Sequence, residues 1–475
     1  RFAAMEADNI YWKQAFGDKQ SLESLEDPRA REYALINYGP WDRITGKSFV
    51  EGFSDMPAGL FFYPSDMTQE EWEAFDDPDK NSPYTLIRRD HEGNLTTVWY
   101  HDEYKDNIDT MCDYLKAAAN LTIVPSVREY LLAKIDGLKT DSYEQSALKW
   151  LDTNDSKMDL VLGPSESSDD NLHGIKRSYG AYIILKNLSR TEQLHKFSAQ
   201  MPEFQKSLPC KDEYKTFVPS TESVIYAGDA LYYAGAANCG IKDIAISLPF
   251  DVKVQAEKGT RSILMQNVIT SKFNGILVPT ADLVISDKDR EHVNDRAFFW
   301  NVAFREVAHG LGVKTTLDGR SVNAALDNLA SLVEEVKALS MGTFLSSSVI
   351  AKFETNEIVT REDSYATFLT ALLRSARFGN TEVVGRANII CYNYLKEAGA
   401  YERHQDGCYY ISYDAFRDGI NSLVGTVLEL QGNGDYAAAK QFVEKYDVVG
   451  DDLKADTFNM MLEGIPVDVK FDFVW

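Results

Sequence analysis

From Asn294 to Leu430 the apolar residues recur with the period of a helix, over Asp295–Leu311, Ser321–Phe344, Thr367–Arg377, Gly385–Ala398 and Asp414–Leu430, with Ser321 placed as an N-cap. That pattern commits the last third of the chain to a helical bundle. The first of these helices carries Arg305–Gly312, read R-E-V-A-H-G-L-G. Side chains four residues apart share one helix face, and H-E-x-x-H uses that spacing to grip zinc with two imidazoles while the glutamate between them acts as general base. Glu306 and His309 stand where the pattern requires them, but Arg305 occupies the place of the first histidine. A guanidinium has no lone pair to donate and keeps its proton in proteins, so it cannot ligate a metal.

Ahead of the bundle, apolar periodicity predicts helices over Ala4–Phe16, Asn107–Ala119, Val127–Asp136 and Tyr179–Asn187. The stretch Tyr38–Asp106 is dense in Pro, Gly and Asp and reads as loops holding short strands at Thr85–Arg89 and Thr96–His101. Ile241–Ser286 changes character: Ile244–Leu248, Ile263–Val268 and Ile276–Ile285 read as strands of a small sheet or barrel. Gln431–Asp435 reads as a turn with an aspartate cap rather than a phosphate cradle. At 475 residues the chain is long for one core and predicts two or three domains.

Composition narrows the partners. A formal charge of −24, from 73 acidic and 49 basic side chains, repels phosphate backbones, so nucleic acid is excluded as a partner, and so is an anionic membrane surface. No apolar run reaches the ~18 residues of a membrane span. The five cysteines are scattered without C-x-x-C spacing, which offers neither a disulfide framework nor a thiolate zinc site. The first residue is Arg1, which fits a cytoplasmic protein and equally an exported or lipid-anchored one whose N-terminal signal has been removed. No feature sets an oligomeric state.

Several blocks, in order along the chain, resemble the dipeptidyl peptidase III family of zinc exopeptidases in its shorter bacterial form: Met5–Phe16 (MEADNIYWKQAF), Ile36–Asp42 (INYGPWD), Ser82–Asp90 (SPYTLIRRD), Tyr232–Gly235, Lys258–Arg261, Val307–Gly312 and Leu428–Gly432 (LELQG). The resemblance implies an α+β, mostly helical protein of two lobes, one helical and bearing the zinc helix, the other containing a small β-barrel, with a wide cleft between them. The expected division is 1–186 in the lower lobe, 187–230 in the upper helical lobe, 231–280 returning to the lower lobe as a β segment, and 281–475 in the upper lobe. Peptides in that family lie in the cleft as an added strand.

Position by position, the resemblance implies a loss of machinery. The second zinc-bearing stretch of the family, E-E-x-K/R-A-acid, is here Glu334-Glu335-Val-Lys-Ala-Leu339, which keeps the ligand Glu335 and replaces the outer acid by Leu339. An outer carboxylate orients a ligand histidine, which leucine cannot do. In the G-P-x-E-x-Y-type stretch, Gly163–Ser168 keeps Glu166 and has Ser168 where a phenol steadies the tetrahedral intermediate. The I-N-x-P-N clamp for the substrate's amino terminus becomes Ile246–Phe250, with Ser247 and Phe250 in place of both asparagines, and a later histidine is replaced by Val384.

These departures predict a catalytically inactive pseudopeptidase that retains a binding cleft for a peptide or other small ligand, with Glu166 available to a peptide amine. Glu306 is then a vestigial general base and His309 and Glu335 vestigial ligands. No cofactor is expected, because zinc held beside Arg305 meets a repulsion of roughly 8 kcal/mol at ~4 Å and an effective dielectric of ~20. Arg305 is expected instead to pair with Glu335 or Glu306. Two other readings stay open: an active zinc dipeptidyl peptidase using a replacement ligand, for which His292 is a candidate, and an interaction protein working through its acidic surface. His404 and Cys408 read as loop residues around Gly407, Glu70–Asp79 as a solvated acidic helix end, and Phe298, Phe299 and Trp300 as core.

Overall fold

The computed structural model describes residues 1–17, 19–219, 224–249, 251–349, 359–379 and 383–472. The fold is α+β and mostly helical, and the chain divides into two compact units. The first comprises 1–188, 228–261 and 470–475, and the second 189–227 and 262–469.

In the first unit the helix Phe2–Ala15 buries Ala3, Ala7, Ile10, Tyr11 and Trp12 and packs on the helix Lys105–Leu121 and on the strand Ser178–Lys186. That strand falls where the sequence predicts a helix, Tyr179–Asn187. It pairs antiparallel with Met158–Glu166 on one side and with Val224–Gly235 on the other, so all but one of its residues are buried. A run buried on both faces has no polar phase to separate period 2 from period 3.6. The sheet is a curled half-barrel whose spatial order is Met158–Glu166, Ser178–Lys186, Val224–Gly235, Arg261–Met265 and Ala245–Leu248. Gly235, at φ +60°, ends the third of these strands where a Cβ would sit 2.4 Å from the Tyr179 carbonyl oxygen of the neighbouring strand and 3.1 Å from Tyr11 Cβ of the first helix, so glycine lets both lie this close. Thr85–Arg89 and Leu95–Trp99 form a separate hairpin.

The second unit is the bundle. The run Ile276–Ile285, predicted as a strand, is helical: Gln266–Lys272 leads through a π-type turn, Phe273–Leu277, into Val278–Val284. Pro279 has no N–H to give the preceding turn, and the wider turn absorbs that loss. Ser321 caps its helix through the Ala324 amide at 3.1 Å, but the predicted single helix Ser321–Phe344 is broken at Asp327, φ +47°, into Val322–Leu326 and Ala330–Val349. Arg361–Ser375, Val383–Glu397 and Tyr413–Asn433 follow, and Asp435 caps Tyr436–Tyr446 through the Ala438 amide. Among the described residues no helix is long and apolar enough to cross a membrane.

Candidate functional site

The site is built where the helix Asp295–His309 packs on Ala330–Val349. Gly342 makes the approach possible: a Cβ there would lie 2.7 Å from the Arg305 amide nitrogen and 2.8 Å from its Cα. Glu335, two turns before Gly342 on the same face, is thereby brought to Arg305. The aromatic residues Phe298, Phe299 and Trp300 are buried and hold the helix in register from its first half.

Arg305 spans both carboxylates of the motif. Its Nε donates to Glu335 Oε1 at 2.8 Å, its second terminal nitrogen is 2.8 Å from the same oxygen, and its first donates to Glu306 Oε1 at 2.7 Å. The Glu306 and Glu335 side chains are only 6% and 9% exposed, so both negative charges are compensated inside the protein. His309 lies beside the pair, its Nε2 3.9 Å from Glu335 Oε2.

A second layer, which sequence reasoning missed apart from Glu334 as a motif letter, surrounds His309. Glu334 Oε1 is 3.3 Å from His309 Nδ1, the contact that an outer carboxylate makes, and it comes from the residue before Glu335 rather than from position 339. Lys337, fully buried, donates to Glu334 Oε1 at 2.7 Å and to the Leu311 carbonyl at 2.8 Å. Lys314 donates to the His309 carbonyl at 2.7 Å, and Gln431 to Glu334 Oε2 at 3.1 Å. Burial pushes the Lys337 ammonium down to about 7, with Glu334 opposing the fall. Burial works to raise Glu334, but Lys337, His309 and Lys314 outweigh it and hold the carboxyl well below the usual range. The i, i+3 spacing of Glu334 and Lys337 was a readable signal for their pairing, whereas Lys314 and Gln431 come from separate segments with none.

The remaining positions are distributed between the two units. Leu339 sits half-buried on the carboxylate-bearing helix, and Val384 is 42% exposed in the first turn of Val383–Glu397, where its carbonyl accepts from Asn388. In the first unit Glu166 ends its strand half-buried, Ser168 is exposed just beyond it, and Ser247 is exposed on Ala245–Leu248. Phe250 lies outside the described residues. His292 is engaged by Asp363 at 2.9 Å and packs edge-on to Tyr413. His404 and Cys408 bracket the turn of a short hairpin, with His404 stacked on Tyr410. Glu71, in the acidic run, is paired with Arg89.

Burial pushes the Glu166 carboxyl up, to about 8, with Asp243 and Asp169 adding to the rise against hydrogen bonds from Ser165 and Tyr182. The unfolded chain then loses its proton near pH 4.5 while the folded chain holds it, so stability from this group is full below pH ~4.5 and drains away towards pH ~8. Glu166→Gln is therefore expected to match the parent at pH 4 and to exceed it at pH 8 by a few kcal/mol, less than the ~5 kcal/mol that the full rise gives at ~1.4 kcal/mol per tenfold change in proton affinity, because water reaches part of the side chain. Urea unfolding at the two pH values checks this, and an equal difference at both would refute it.

A zinc ion, which the family resemblance implies, does not fit this donor set. The ligand Glu335 is engaged by a fixed cation, the first ligand position carries that cation, and the two donors left, His309 and Glu335, fall short of the three protein ligands of a catalytic zinc site. Among the described residues no three His, Cys, Asp or Glu side chains are grouped so as to hold a metal ion.

No protein-family model matches the sequence. Among solved structures the chain is similar to dipeptidyl peptidase III from Caldithrix abyssi, with a TM-score of 0.93 and 32% identity over 99% of this chain and 92% of that one. It is also similar to dipeptidyl-peptidase III from Corallococcus sp. strain EGB, with a TM-score of 0.86 and 28% identity over 99% and 90% of the two chains. Among curated proteins it is 28% identical to Nudix hydrolase 3 of Arabidopsis thaliana, over 99% of this chain and 69% of that protein. Fold, block order and the 32% identity across nearly both whole lengths agree, and the chain belongs to the dipeptidyl peptidase III family.

Proposed function

We propose that this protein is a catalytically silent dipeptidyl peptidase III that binds peptides without cleaving them. The observation that carries the reading is the Arg305 guanidinium, hydrogen-bonded at 2.8 Å to Glu335 and at 2.7 Å to Glu306. It takes the electrostatic place of the metal: a fixed positive charge satisfies the same carboxylates, with no coordination position open to polarise a carbonyl or a water. Glu306 accepts from Arg305 with an oxygen that a general base needs free, so proton abstraction from water is suppressed as well. The replacements at Ser168, Ser247, Phe250, Leu339 and Val384 remove the oxyanion donor, the amine clamp and the outer acid that the family resemblance assigns to those positions. Glu166 remains, and its carboxylate is suited to a peptide ammonium, which favours its charged form.

The test is metal content by plasma mass spectrometry after purification without added metal, with dipeptidyl-arylamide turnover measured with and without zinc or cobalt. Far less than one zinc per chain and no metal-dependent turnover are expected; stoichiometric zinc, or hydrolysis that follows added metal, overturns the reading. Binding is read separately as a rise in melting temperature with peptide pools, since a ligand bound to the folded state alone stabilises it.

A further inference from the structure

The second unit contains a cavity of about 210 Å³ whose walls include Glu213, Tyr214, Phe217, Val313, Lys314 and Leu317. It borders the charged layer around His309, with which it shares Lys314, and none of its residues belongs to the peptidase motifs except Gly432. The volume is below the ~300–1,000 Å³ of sites for drug-sized ligands, which limits an occupant to something of the size of one amino acid.

Its chemistry pairs one cation with one anion. The Lys314 ammonium has three donors, of which the His309 carbonyl takes one at 2.7 Å, and the nearest carboxylate oxygen, on Glu334, is at 3.9 Å, beyond hydrogen-bond reach. The Lys337 side chain is also in contact with Lys314, so one donor remains for an incoming anion, with a second ammonium close behind it. Glu213, half exposed, has Lys211 at 3.9 Å, again too long for a hydrogen bond, and its oxygens are open to an ammonium. Between the charges Val313, Phe217 and Leu317 supply apolar wall, and Leu317 is left 56% exposed, a large apolar side chain with nothing over it.

The wall is fixed before any ligand arrives. Gly432 lets the Tyr214 ring lie flush against the helix Tyr413–Asn433, since a Cβ there would be 2.2 Å from the ring's Cδ1, and the Tyr214 hydroxyl donates to Asn433 at 3.0 Å. A rigid aromatic wall limits the ordering cost that a ligand must meet.

We propose that this cavity binds a single zwitterionic α-amino acid with an aliphatic side chain, its carboxylate on Lys314, its ammonium on Glu213 and its side chain against Val313 and Leu317. Occupancy is coupled to the cluster through two short links: Lys314 holds the last carbonyl of the zinc-type helix, and Gln431, beside Gly432, holds Glu334. The site stands whether or not the protein retains peptidase activity.

Titration calorimetry of the full chain with L-leucine tests it against L-leucinamide, which lacks the carboxylate, and N-acetyl-L-leucine, which lacks the ammonium. L-leucine is expected to bind with millimolar or tighter affinity, and either blocked form at least tenfold more weakly, about 1.4 kcal/mol. Lys314→Met and Glu213→Gln are each expected to weaken L-leucine by the same factor. Glu213 is at the surface, so its variant folds even if the lysine variant does not, and the ligand series on the parent protein needs no variant. No heat of binding for L-leucine at about 10 mM, equal affinity for all three ligands, or unchanged affinity in Glu213→Gln overturns the proposal.

Discussion

Replacing Arg305 by methionine is expected to destabilise the protein by about 3 kcal/mol, read as a lower denaturant midpoint at unchanged slope. Methionine keeps the length and apolar stem of the side chain and removes only the guanidinium, so the change isolates charge and hydrogen bonding from packing. What it leaves behind decides the size of the effect: Glu306 at 6% exposure and Glu335 at 9% lose their shared cation at once. Breaking a buried pair from one side costs about 3–5 kcal/mol, because the orphaned charge remains in a poorly solvated place. The lower end applies, since Arg305 is itself 22% exposed and water can reach part of the gap. Adding Glu335→Gln to Arg305→Met is expected to recover about half of the loss, a coupling that only contacting residues show. A loss below 1 kcal/mol in the single variant would mean that the guanidinium contributes no net stabilisation and that another charge balances the site.

This cluster was legible before the fold was known because its logic is local. Spacings of four and three residues put Arg305 and Glu306 on the helix face of His309, and the adjacent pair Glu334 and Glu335 marked the helix that answers it. Arg305 then announced its partners by charge. The second layer was less legible because it depends on which segments meet: Lys314 arrives from the loop after the helix and Gln431 from a helix about a hundred residues later. The errors in the fold share a cause. Tyr179–Asn187 is apolar almost throughout, and Ile276–Ile285 has only Thr280 and Asp282 as polar marks, too few in either to separate the strand period from the helical one. In the first, Tyr182, Ile183 and Ile184 carried a preference for strand that burial on both faces made decisive; in the second, Pro279 pointed to an interrupted helix as readily as to a strand end.

Replacing Arg305 by histidine is expected to create a zinc site and to restore almost no hydrolysis. The substitution removes the fixed charge whose repulsion of zinc is roughly 8 kcal/mol at ~4 Å, and supplies a lone pair one helical turn before His309. With Glu335 released from its ion pair, two imidazoles and one carboxylate are then available, the number of protein ligands in a catalytic zinc site. Affinity is expected to rise at least 10³-fold over the parent chain, about 4 kcal/mol. It should still fall short of a complete site by a factor of ten to a hundred, the usual cost of a missing outer partner. Glu334 already stands at 3.3 Å from His309 Nδ1, but Leu339 offers no carboxylate to the new imidazole. Turnover is limited elsewhere. If Ser168 and Ser247 stand where the family resemblance implies a phenol and a carboxamide, the lost oxyanion donor is worth 10²–10³ in rate and the amine clamp is not replaced. Zinc-loaded variant and an active family member, assayed side by side on a dipeptidyl arylamide, should therefore differ by at least about 10³-fold. Turnover within tenfold would show that the single cation at position 305 silences the enzyme by itself, and that Ser168, Ser247 and Leu339 are neutral replacements rather than parts of the same loss.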